Sequence, residues 1–491
     1  ARLFEHVGAL ERLLGHYQQS LDAFESAVAI RLARSEFDAA ALLASSALGQ
    51  RYNLGDHSAL GHAERFLADH GDTLGDTARN HLLVTAARVA SALYDIRSAE
   101  RFLDAVNDPA NLPTSVRFNF LIVQLMRHSF SANAEAWKRT SHEVSGFLHE
   151  LTPEAMVGIE SARALTGIYL GENQTVERAI DHATALERTW GFRGPRLYNT
   201  AVETAYLYQR GRLDEARAHA QDIAANLDVS PALWVAAPVV VHLAAATGDL
   251  SLWGRFGNEL VRTARNKLND PDCLLLLAAH AALLSVTGAE EEARRDMRLA
   301  VEALRYATPE AMYVLIDAAS ILPERETGRI AALAKESAKN NNAVTVAVEA
   351  FVSATISLRF GEPAASREDA LRAATAFDAF GWTLLEARAR VVAGDVVRAR
   401  ELFALCGATG FLRRLPAGET LQAGLPPLSA RENQIAILVA RGLTNTQIAK
   451  DLNIANKTVE KHLSSVFEKL RLRSRSQVAA YVARGPADGS L

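Results

Sequence analysis

The sequence predicts an all-α protein in two parts: a superhelical solenoid of helical hairpins, then a small four-helix domain. Three observations carry this. Leu, Ala, Arg and Glu are frequent while Pro is only 14 of 491 residues, a mixture that favours helix. Turns built on Gly and a polar residue recur at a spacing of about 40 residues, the mark of a repeat array. Past Gly410 that pattern stops and the composition changes. The length allows roughly three ordinary domains, or one long array and one small domain. With 49% hydrophobic and 22% charged residues, the chain is not a disordered one.

The body comes first. "GHYQQSLDAFESAV" from Gly15, "GRLDEARAHAQDIA" from Gly211, "TGAEEEARRDMRLAVEAL" from Thr287 and "AGDVVRARELFAL" from Ala393 share one plan. Each has a Gly, a polar turn residue and an amphipathic helix with an early Ala. Similar turns fall at Gly55, near Asp95, and at Gly171, Gly248 and Gly361. Gly supplies the left-handed stop of one helix and the polar residue starts the next. One period then holds two helices of about 15 residues. Leu21, Phe24, Val28 and Leu32 step by three and four, so one face is apolar. A single hairpin cannot cover that face. Stacked hairpins can, and stacking produces a superhelix with a concave side.

The helix Leu274 to Leu284 is apolar but too short to span a bilayer, and reads as a buried repeat helix. No basic-then-apolar segment opens the chain. Cys273 and Cys406 have no CxxC spacing and sit in apolar surroundings, so both read as buried free thiols of a cytoplasmic protein. Lone histidines such as His242 and His280 read as core residues. There is no HExxH, G-x-S-x-G or strand–helix alternation, so the chain reads as non-enzymatic and without a metal.

The tail is organised differently. Residues 413–427 contain three Pro and two Gly and read as a linker. Between Leu428 and Arg484 stand ten Lys and Arg against four acids, a charge of +6; with a total of -4, the rest carries -10. A basic end on an acidic body points to a polyanion met by that end alone. Ser429-Ala-Arg-Glu432 has capping-box spacing, and its helix runs to Gly442. Thr444-Asn-Thr-Gln447 is a second capping box, opening a short helix to about Asp451. Leu452-Asn453-Ile454 is the turn. A longer helix follows from about Asn456 to Leu470, and a last one covers Arg475 to Val482. In the long helix Val459, Leu463, Val466 and Leu470 step by four and three and point inward. Lys457, Glu460, Lys461, Ser464 and Glu468 then share the outer face, which a DNA major groove admits.

Two resemblances follow from these residues. "GHYQQSLDAFESAV" resembles the second helix of a tetratricopeptide repeat, with Gly15, Tyr17, Phe24 and Ala27 at that family's positions and Ser20 in place of Ala. The later repeats are degenerate, and their period exceeds the usual 34. The tail, "LSARENQIAILVARGLTNTQIAKDL" and "TVEKHLSSVFEKLRLRSR", resembles the LuxR-type (GerE-type) helix-turn-helix over about 57 residues. That resemblance implies a four-helix DNA-binding domain that dimerises through its last helix on a pseudo-palindromic site. It implies that Glu460, Lys461 and Ser464 reach base edges, and that Thr458, His462 and Asn445 meet backbone phosphate. By charge, Lys457, Lys469 and Arg475 join the phosphate set. Two positions depart from the family. Ala455 stands where Ser commonly caps the reading helix, and Glu460 stands where a basic residue is common.

Together the parts resemble the C-terminal half of the large ATP-binding LuxR regulators, the group of the maltose-regulon activator. The resemblance implies double-stranded DNA as partner, a homodimer on DNA, RNA polymerase as a further contact and a small-molecule or protein effector on the repeats. No membrane contact is expected, from the shortness of the apolar run noted above. No G-x-x-x-x-G-K-[ST] occurs, so no cofactor is expected in this chain; ATP enters only if a nucleotide-binding domain precedes Ala1. The expected organisation is a repeat domain at 1–412, a linker at 413–427, the DNA-binding domain at 428–484 and a flexible tail at 485–491. The alternative is a repeat scaffold for protein interaction with a DNA-anchoring tail.

Overall fold

The structure is a computed structural model. It describes the chain except at residues 14–15, 55, 57, 94, 192–193, 226–231, 255–256, 269–270, 305–307, 362, 416–427, 429, 441–442, 453, 470–471, 473–474, 476–477 and 479–491. Among the described residues every regular element is a helix. Consecutive helices pack as antiparallel hairpins: Tyr17–Leu32 on Phe37–Asn53, Pro153–Ile168 on Asn173–Trp190, Pro271–Thr287 on Glu290–Ala303, and Ala343–Phe360 on Pro363–Ala379.

The turns explain the hairpins. Gly171, Gly211, Gly248, Gly288 and Gly394 all take positive φ, as the left-handed stop requires. Asp95, Asn133, Thr152, Asn342 and Asp395 then accept backbone N–H bonds at the starts of the next helices. Gly361 differs from expectation: its φ is -130°, so it ends its helix without a left-handed residue. Ser35 and Ala132 take the left-handed conformation where no Gly marks the turn.

The body does not stay open. One continuous core runs from Leu207 to Ala408, joining helices far apart in sequence. Polar bonds also join distant stretches of the chain. Asn173 Nδ2 and Arg210 Nη1 both donate to the Phe380 carbonyl at 2.7 Å, and Ser129 Oγ donates to Glu310 Oε1 at 2.7 Å. Asn340 reaches the Ser131 carbonyl, and Thr409 reaches that of Thr247. Gly211 shows how tight this is: a Cβ there would lie 2.5 Å from the Cys406 sulfur. Over this part the inner side of the superhelix is therefore packed interior rather than an open concave groove.

Both cysteines are buried and unbridged, and Pro271–Thr287 is a buried helix as its composition demands. Ala343–Phe360 is long and apolar enough to cross a membrane, and Val344, Ala347, Val348, Phe351 and Val352 pack it into the body's core. His242 is buried in the core. His280 is not simply a core residue: its Nδ1 lies 2.7 Å from Asp296, which Arg265 also holds. Burial works to raise the Asp296 carboxyl, but the His280 and Arg265 hydrogen bonds prevail and keep it below its ordinary value.

Candidate nucleic-acid interface

Near the C-terminus three helices, Ala430–Ala440, Asn445–Asp451 and Asn456–Lys469, enclose a core of their own. Ile435, Ile448, Val459, Val466 and Val478 are each 0% exposed within it. Thr444 starts the middle helix as a full capping box: its side chain accepts from the Gln447 N–H while Gln447 reaches back to the Thr444 N–H at 2.7 Å. Arg431 donates to the Leu452 carbonyl at 2.8 Å, which fixes the turn against the first helix. Ser429, Gly442, Asn453, Leu470 and most of the expected last helix lie outside the described residues.

The long helix has two opposed faces. Val459, Leu463 and Val466 are buried. Lys457, Glu460, Lys461 and Ser464 are exposed and share the other face, with Thr458 and His462 half-buried on its flanks. A helix with its apolar side seated on two others presents that outer side as a rigid ridge. Its width suits the major groove, and its charges suit phosphate and base edges. Ala455 offers no capping oxygen. Asn456, the first helical residue, donates instead to Thr446 Oγ1 at 3.4 Å, joining the two helices at the start of the ridge.

Three of the sequence-predicted residues are tied inside the domain. Lys469 Nζ lies 2.7 Å from Glu432, a buried carboxylate that also accepts from Ser465 Oγ at 2.6 Å. The charge of Lys469 is thus committed to the first helix. Arg475 donates to Asn445 Oδ1 at 3.0 Å and to the Leu443 carbonyl. Charge alone could not separate these two cations from Lys457 and Lys461. The partner that does so, Glu432, lies 37 residues from Lys469 in sequence.

A short helix set by a capped turn against a longer exposed one is the helix-turn-helix class of DNA-reading domain. The sequence family described as "Bacterial regulatory proteins, luxR family" matches residues 426–482, and this C-terminal domain is a luxR-family helix-turn-helix domain. The nitrate/nitrite response regulator protein NarL of Escherichia coli is 34% identical over 99 residues, covering 20% of this chain and 44% of NarL. The DNA-binding transcriptional activator DevR/DosR of Mycobacterium tuberculosis is 32% identical over 100 residues, covering 19% and 46%. The transcriptional regulatory protein LiaR of Bacillus subtilis is 40% identical over 57 residues, covering 12% and 27%. The chain thus spans less than half the length of these relatives. The crystal structure of the APC/C hetero-tetramer Cut9-Hcn1 aligns with 98% of the chain at 12% identity and a TM-score of 0.33, too loose a likeness to bear on the fold.

Proposed function

We propose that the chain is a DNA-binding transcriptional regulator whose tail domain reads a promoter site and whose helical body binds an effector or protein partner that controls the reading. The observation that carries this is the exposed ridge Lys457, Glu460, Lys461 and Ser464 on a helix whose other side is core. Glu460, Lys461 and Ser464 meet base edges, and Lys457, Thr458 and His462 meet phosphate. Asn445 and Arg475 act together at the start of the middle helix, either donating to phosphate or holding that start in place. Lys469 acts through Glu432, as a positioning residue. The DNA-bound form is a homodimer on a pseudo-palindrome, and RNA polymerase is a further partner.

What supports the regulator reading is the domain's family and the regulators among its relatives. The test is titration of the full chain onto promoter-length duplexes at several salt concentrations. Log Kd should rise linearly with log salt, and Lys461→Ala should cost about 1–3 kcal/mol at the preferred sequence only. Unchanged binding in both Lys461→Ala and Lys457→Ala would remove this helix from the interface.

A further inference from the structure

Inside the closed part of the body lies a cavity of about 40 Å3. Its walls come from Tyr169, from helices Gly194–Gln209, Ala232–Thr247, Pro271–Thr287 and Met312–Ile321, and from Glu310 in the short turn Pro309–Ala311. Part of its wall is hydrocarbon, from Ala205, Pro238, Val239, Leu275, Ala278 and Val314. Tyr169, Tyr208 and Tyr313 give it three aromatic rings, and Gln209, Glu310 and His242 give it polar atoms.

Several of those polar atoms lack a partner. Tyr208 Oη, Tyr313 Oη, Gln209 Oε1 and Glu310 Oε2 are buried and make no hydrogen bond within the described protein. The residues Tyr208 and Gln209 are each 2% exposed, and Glu310 7%. Leaving so many buried groups unsatisfied at one place is costly, so the site calls for an occupant.

The chemistry of the walls says which kind. Glu310 is the acidic group of the lining, and its other oxygen is already taken by Ser129. Among the described residues no Lys or Arg lines the cavity. Arg388, whose charge is felt at Tyr208, His242 and Tyr313, is paired with Asp317, and the second Asp317 oxygen lies 3.8 Å from His242. Burial pushes His242 down to about 4, so it brings no positive charge at neutral pH. Burial likewise raises the Glu310 carboxyl, and hydrogen bonding from Ser129, its own backbone N–H and Thr308 offsets this only in part. Three tyrosine rings, a carboxylate and an amide oxygen are groups that a small cation can meet. A primary ammonium has three N–H donors, enough for Glu310 Oε2, Gln209 Oε1 and one tyrosine hydroxyl.

We propose that this cavity is a binding site for a compact primary ammonium group, either a small free amine or the ammonium end of a larger one. The inference rests on reading the body as the sensing part, and it names the class of effector. The position fits that role. Helix Ala232–Thr247 gives Pro238, Val239 and His242 to the cavity. The same helix ends at Thr247, whose carbonyl holds Thr409, and its Ala245 carbonyl abuts Gly410. Occupancy therefore bears on the helix that fastens the end of the body, just ahead of the segment leading to the DNA-binding domain.

The test is thermal unfolding of the full chain in methylammonium chloride against sodium chloride at equal ionic strength. A ligand of two heavy atoms binds no tighter than about the millimolar range, so the titration runs to about 100 mM. The expected result is a midpoint that rises with methylammonium and not with sodium, with Glu310→Gln weakening the response at least tenfold. Tyr313→Phe, which keeps the ring and drops the hydroxyl, should weaken it by a smaller factor and guards against a Glu310→Gln chain that fails to fold. Equal midpoints in the two salts, or responses unchanged in the variants, would mean a cavity filled by water only and would overturn the proposal. Duplex titration is a separate readout, so loss of DNA binding would sink the regulator reading without altering this result.

Discussion

Lys469 Nζ and Glu432 Oε2 lie 2.7 Å apart, joining the end of helix Asn456–Lys469 to the first helix of its domain. Glu432 is only 5% exposed, so without Lys469 a buried carboxylate would lose this cation. Lys469→Ala should therefore destabilise the domain by about 2 kcal/mol in urea unfolding. Lys457 stands exposed on the ridge. Lys457→Ala should leave stability nearly unchanged and lower the salt slope of DNA binding by about one unit. A larger slope change in Lys469→Ala than in Lys457→Ala would reverse these assignments.

Glu460 shares the exposed face with Lys457 and Lys461. A carboxylate is repelled by phosphate but accepts from cytosine N4 in the major groove. Glu460→Ala should change which sequence is preferred by about 1–3 kcal/mol at one position. Parallel affinity changes at all sequences, measured on a panel of single-base variants, would show that Glu460 does not choose bases.

The closed body makes a separate demand. A Cβ at Gly410 would lie 2.3 Å from the Ala245 carbonyl oxygen and 2.8 Å from the Gly248 nitrogen, both backbone atoms. At Gly394 a Cβ would meet nothing within 4 Å, though φ there is +77°. Gly394→Ala should cost about 1 kcal/mol from backbone strain. Gly410→Ala should cost about 3 kcal/mol because backbone must move. Equal midpoints for the two variants would mean that the end of the body is not fastened to helix Ala232–Thr247.

His242 makes stability depend on pH. Burial, the largest cause, holds its folded value at about 4, against 6.5 for the unfolded chain. Above pH 6.5 both states are neutral and nothing is gained or lost. As pH falls from about 6.5 to about 4, the unfolded chain takes up a proton that the folded one refuses. Stability should therefore drop by about 3 kcal/mol across that window. His242→Gln should remove this share of the slope in denaturant titrations at pH 4, 5, 6 and 7. An identical slope in the variant would show that His242 is protonated inside the fold.

Much of this was legible in local sequence. The capping box Thr444–Gln447 and the inward steps Val459, Leu463 and Val466 are patterns within one or two helical turns, and local hydrogen bonds and period suffice to read them. The left-handed glycines at Gly171, Gly211 and Gly248 are likewise local. The turns at Ser35 and Ala132 escaped because the residue in the strained conformation is not Gly. Closure of the body was hidden for a different reason. Asn173 and Arg210 share the carbonyl of Phe380 across 207 and 170 residues, and backbone carbonyls carry no sequence signal. The same distance hid the pairing of Lys469 with Glu432, which only the packed domain reveals.

Glu460, Lys461 and Ser464 are proposed to read DNA sequence on behalf of this chain. Selection by the full chain from a random pool of double-stranded DNA tests it most directly. Enrichment of one pseudo-palindromic sequence is expected, altered in half-site preference by Glu460→Ala and lost with Lys461→Ala. A pool that stays random, or an enriched site that ignores both substitutions, would contradict it.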